Sequence, residues 1–101
     1  METWQTSKSY KQIEVSTIGN VRNKETKQIL KTKKNHRNLN LVSLPQNHNN
    51  GTFCVLVCNI VCETFMENFI KKRYSTIRHK NGDNSDDRLE NLEIIIPTKF
   101  N

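Results

Sequence analysis

Between residues 13 and 22 the chain reads Ile-Glu-Val-Ser-Thr-Ile-Gly-Asn-Val-Arg, with apolar positions on either side of a Gly-Asn pair. Glycine and asparagine enter positive φ at little cost, so this pattern predicts a β-hairpin. A third short strand is expected around Gln28 to Lys31. A fourth is expected from Asn38 to Leu44, where Leu39, Leu41 and Val42 mix alternation with a two-residue apolar run. Pro45 and the polar tract from Gln46 to Gly51 then break the pattern, which predicts a loop.

The stretch from Phe53 to Phe65 is the most apolar of the chain and changes period partway. Phe53, Val55 and Val57 alternate as a strand does, whereas Cys58, Val61, Cys62 and Phe65 fall at offsets of three, four and seven, the stripe of a helix burying one face. The spacing therefore predicts a strand feeding a short helix. Beyond the basic cluster Lys71, Lys72 and Arg73, Tyr74 to Ile77 can form a brief strand. Asn81 to Asp87 reads as a polar turn around Gly82, and Leu89 to Ile96 is apolar again. The class is α+β, with no internal repeat and no long linker.

Composition narrows the function. At 101 residues and 34% hydrophobic content the core is small, which leaves no room for a large enzyme. Sixteen Lys+Arg against ten Asp+Glu give a net charge of +6, suited to a polyanion such as nucleic acid. Arg22, Asn23, Lys24, Lys27, Lys31, Lys33, Lys34 and Arg37 follow or border the hairpin, where a β-ribbon could enter a groove of double-stranded DNA while the cations neutralise phosphates.

No apolar run is long enough to cross a bilayer, and Met1 to Tyr10 is polar, so the expectation is an intracellular, soluble monomer with no membrane and no small-molecule cofactor. Cys54, Cys58 and Cys62 recur every four residues, and with His79 they could supply four soft ligands. Structural zinc sites pair ligands on two separate turns, however, so these cysteines read as reduced core residues and zinc is not expected.

The segment from His79 to Glu93, His-Lys-Asn-Gly-Asp-Asn-Ser-Asp-Asp-Arg-Leu-Glu-Asn-Leu-Glu, is rich in groups that bind metals or polarise water. Its composition alone fits a solvated acidic loop. The spacing says more. A His, a Gly-containing turn, two Asx residues and Asn-Leu-Glu, with Asn91 twelve residues after His79, resembles the second half of the HNH homing-endonuclease motif. Val57 to Phe65 resembles the family's Val-His-Arg-Leu-Val-Ala-Glu-Ala-Phe helix. Trp4 together with Val15 to Asn23 resembles the nuclease-associated module that often precedes it.

The resemblance implies a ββα-metal nuclease fold at 49–101 behind a small β-rich DNA-contacting module at 1–48. It implies hydrolysis of DNA phosphodiester bonds with one divalent cation, Mg²⁺ or Mn²⁺. By position His79 would be the general base, a role suited to imidazole because its ordinary pKa lies near working pH. Asn91 would bridge strand and turn to hold the catalytic loop in register. The family's last metal ligand falls near position 100, which makes Asn101 the candidate here. Arg78 stands where the family often has Asp or Asn, and Cys58 where it has His. A DNA-binding relative without cleavage and a zinc-supported interaction module are the alternatives.

Overall fold

A computed structural model describes residues 2–45, 51–66 and 76–95. The hairpin forms where the Gly-Asn pair predicts it. β2 (Ile13–Ser16) and β3 (Val21–Asn23) pair antiparallel around a turn in which Gly19 has φ +91°. β1 (Trp4–Thr6) adds to the other edge of β2, giving the order β1-β2-β3. β2 turns Ile13 and Val15 into the core, the period-two signature of a half-buried strand.

The strand expected at Gln28 to Lys31 is reduced to a single bridge between Arg22 and Ile29. The chain turns first instead. Asn23 Oδ1 accepts the backbone N–H groups of Glu25 and Thr26, and Lys27 has φ 64°. The strand that does form, β4 (Thr32–Lys34), is exposed at every position, so it carries no apolar alternation for a sequence reading to find. It pairs with β5 (Asn40–Pro45), which in turn pairs with β6 (Thr52–Leu56), so this second sheet draws on sequence from both sides of the polar tract near residue 48.

β6 runs directly into α1 (Val57–Phe65), as the change of period predicts. The helix has no side-chain N-cap, no acidic residue in its first turn and no basic residue in its last. Its stability therefore comes from packing and not from its ends. Val57, Cys58, Ile60, Val61, Cys62 and Thr64 are buried, and the apolar members of this face meet Val15, Leu44 and Leu92 in one core. A third, two-stranded sheet pairs β7 (Thr76–His79) with β8 (Leu92–Ile95), joined by a loop that ends in a single 3₁₀ turn at Leu89–Asn91. Among the described residues the architecture is α+β, three small antiparallel sheets around one helix. Among the described residues no helix is long and apolar enough to cross a membrane. Lys71, Lys72, Arg73 and Asn101 lie outside the described residues.

Candidate functional site

Strand alternation decides which way the two residues at the end of β7 face. Arg78 is exposed and pairs with Glu93 directly across the sheet, while His79 turns inward and its side chain is 3% exposed. Its Nε2 lies 2.8 Å from Asp87 Oδ1, and Asp87 is equally buried. A carboxylate only accepts, so this contact places the ring proton on Nε2 and leaves the lone pair of the neutral imidazole on Nδ1. The second carboxylate oxygen, Oδ2, accepts from the Asn40 side-chain amide at 2.9 Å, and the same amide donates to the Ser85 carbonyl at 2.9 Å. Lys34 Nζ in turn donates to Asn40 Oδ1 at 3.0 Å. A chain of contacts thus runs from a surface lysine of β4 to the buried ring.

The loop between β7 and β8 is held from within. Asn91 Oδ1 accepts the Asn81 N–H at 3.0 Å, while its amide donates to Asn81 Oδ1 at 3.0 Å and to the Asp86 carbonyl at 2.9 Å. Asp86 receives two 2.8 Å hydrogen bonds from the Arg88 guanidinium, which holds its carboxyl well below the usual carboxylate range. Asp83 is also lowered, chiefly by the Ser85 hydroxyl.

The loop is held from outside as well. The Leu89 N–H donates to the Thr17 carbonyl at 2.7 Å, and a Cβ at Gly19 would sit 2.9 Å from the Asp87 carbonyl oxygen. The hairpin turn of the first sheet therefore rests directly on the residue that holds His79, and only glycine leaves space for it.

The third buried group beside this pair is Cys58, on the first turn of α1. Its sulfur, a His79 ring nitrogen and an Asp87 oxygen all lie within 4.8 Å of one another, a group that could hold a metal ion. Burial, with the nearby Asp87 charge second, pushes the Cys58 thiol up to about 11, and burial pushes Cys62 up to about 12. The expectation that all three cysteines belong to the core needs correction at Cys54, which is exposed on β6. All three are free thiols.

The basic residues divide into two groups. Arg22 stacks 3.9 Å over the Trp4 ring and, with Lys27, is bound to Glu14, whose carboxyl is lowered chiefly by Arg22. Asn23 is occupied in capping its turn. Lys24, Lys31, Lys33 and Arg37 are exposed. Arg37 is carried on the β4–β5 turn, which the Asn84 amide pins to the β7–β8 loop by donating to the Arg37 carbonyl at 2.9 Å. The result is an open groove whose walls include Arg37, Arg78, His79, Lys80 and Asn84. Arg78, Lys80, Asp87 and Asn40 were not singled out as functional from the sequence. Asp87 occupies one of the two Asx positions of the motif, which is a usable signal, but Asn40 arrives from 47 residues away and carries none.

The divalent cation implied by the sequence resemblance, Mg²⁺ or Mn²⁺, needs several oxygen ligands around an accessible site. The described residues do not offer that set. Arg78 places a cation before His79, and the buried trio supplies one sulfur, one nitrogen and one carboxylate, a donor set too soft for such an ion.

No family model and no curated protein matches this chain. Among solved structures, one described as DNA binding and cleavage by the HNH homing endonuclease I-HmuI superposes with a TM-score of 0.78 at 20% sequence identity, over 93% of this chain. The chain spans about half of that neighbour, 52% of its length. At this identity the likeness establishes the fold alone: the described residues share an α+β, HNH-like fold with about half of that neighbour.

Proposed function

We propose that this chain binds double-stranded DNA and hydrolyses its phosphodiester bonds, with His79 as general base. One observation carries the reading: an imidazole held by a buried carboxylate belongs to the wall of a groove that also presents Arg37, Arg78 and Lys80. Cations in that arrangement attract a phosphate backbone and fix its position. Asp87 sets the tautomer, so His79 Nδ1 is the atom that takes a proton from an attacking water. The water oxygen then bonds to phosphorus, the P–O bond to the leaving oxygen breaks, and solvent protonates that oxygen. Arg78 and Lys80 offset the charge gathering on the phosphate. The fold shared with a DNA-cleaving endonuclease supports the same reading.

A second reading, DNA binding without cleavage, is favoured by Arg78 and by the low exposure of the ring. Nicking of supercoiled plasmid separates the two. The wild type nicks, assayed with and without added Mg²⁺ or Mn²⁺, and His79→Gln, whose amide can still donate to Asp87, does not nick but binds DNA as tightly at low salt. A wild type that binds and never nicks, at any concentration of either ion, leaves the second reading.

A further inference from the structure

The buried group at the junction of α1, β7 and the loop has a chemistry that proton transfer leaves unexplained. Cys58, His79 and Asp87 come from three separate elements and are 5%, 6% and 4% exposed, yet their ligand atoms converge within 4.8 Å. Hydrogen bonding to the ring accounts for Asp87. It does not account for a thiol placed against both.

We infer that Cys58, His79 and Asp87 form a site for a borderline-soft divalent cation of the zinc class, and that occupancy takes His79 out of proton transfer. Sulfur, imidazole nitrogen and a single carboxylate are the donors such an ion selects, and hard cations select against the sulfur. Ligands around one tetrahedral zinc lie roughly 3.3 to 3.8 Å apart, given bonds of about 2.0 to 2.3 Å, so a trio already within 4.8 Å closes on an ion by small side-chain movements. Charge agrees. Among the described residues the hydrogen-bond partners of Asp87 are the neutral Asn40 amide and the imidazole, and none of them is a fixed cation. A divalent ion held by one thiolate and one carboxylate leaves no net charge in the core, with the thiol proton released to solvent on binding. Asn40, on the second carboxylate oxygen, is the outer hydrogen bond that orients a metal-binding carboxylate. Three protein ligands leave a fourth position for water.

The consequence for His79 holds whichever ring nitrogen binds the ion. An ion on Nδ1 consumes the lone pair directly. An ion on Nε2 displaces the hydrogen bond to Asp87 and moves the ring proton to Nδ1. Either way the neutral ring can no longer accept a proton. This second half rests on the reading of His79 as base, whereas the metal site itself does not.

Cobalt tests the site without reference to activity. Titrating the chelator-treated full chain with Co²⁺ gives a thiolate-to-cobalt charge-transfer band in the near ultraviolet, saturating at one ion per chain and displaced by Zn²⁺. Cys58→Ser abolishes the band, Cys54→Ser keeps it, and Asp87→Asn keeps it while weakening binding at least tenfold. Absence of the band in the wild type, its survival in Cys58→Ser, or its loss in Cys54→Ser overturns the site. In the nicking assay Zn²⁺ suppresses the wild type and spares Cys58→Ser; equal suppression of both overturns the regulatory half. A chain that nicks no DNA removes the base reading and leaves the cobalt result standing.

Discussion

Replacing Asn91 tests whether the loop carrying Asp87 is built as described. Its amide makes three hydrogen bonds of 2.9 to 3.0 Å, two to Asn81 and one to the Asp86 carbonyl, and the residue is 5% exposed. At about 1 kcal/mol net per bond, with a further cost for groups left unpartnered, Asn91→Ala destabilises the fold by about 2 to 4 kcal/mol. In a domain of this size that lowers Tm by about 10 to 20 °C. Asn91→Asp is the sharper variant. It keeps the acceptor for the Asn81 N–H but turns both donations into oxygen facing oxygen, so at pH 7 it is at least as damaging as alanine. Acidification partly relieves it, because a protonated carboxyl donates again. Urea unfolding followed by the fluorescence of Trp4, the single tryptophan of the chain, reads these differences directly. An alanine variant within about 0.5 kcal/mol of wild type, or an aspartate better tolerated than alanine at pH 7, refutes the bracket.

Gly19→Ala forces a Cβ to within 2.9 Å of the Asp87 carbonyl at φ +91°, whereas Gly82→Ala meets nothing within 4 Å at φ +79°. The second therefore costs about 1 to 2 kcal/mol of backbone strain and the first clearly more, as paired thermal melts will show. The raised thiols of Cys58 and Cys62 make stability fall with alkalinity. Unfolded thiols ionise near 9, so the loss begins above pH 9 and continues to about 11 for Cys58 and about 12 for Cys62. Within that window each thiol costs about 1.4 kcal/mol per pH unit, measurable as urea midpoints at pH 8 and 10.5. At pH 8 iodoacetamide labels the exposed Cys54 alone in the folded chain. Lys33→Glu combined with Arg37→Glu weakens binding to unrelated DNA sequences and flattens its salt dependence, read by fluorescence anisotropy at several salt concentrations. Lys34 is left intact in that experiment because its ammonium supports Asn40.

What could be read from the sequence follows a physical divide. The hairpin at Ile13 to Arg22 and the passage from β6 into α1 are legible because burial imposes a period on their apolar residues. β1 and β4 are not, since Trp4–Thr6 contributes little to the core and Thr32–Lys34 nothing, and pairing alone makes them strands. At the site, His79 and Asn91 stand out by spacing. Asn40 and Gly19 act on Asp87 through contacts between distant parts of the chain, which no local pattern encodes. Cys58 was legible as a buried residue on a helical stripe, but the company it keeps depends on where β7 ends.

The seat of the first hairpin on the Asp87 loop constrains how this molecule could be rebuilt. Thr17 supplies a carbonyl and Gly19 supplies bare backbone at one spot, so the opening sheet serves as a floor for the segment above it. A graft that exchanged residues 2–30 for some other small sheet would have to bring an acceptor and a left-handed glycine to that same spot. Without them the transplanted chain would keep its strands and lose the aim of its histidine.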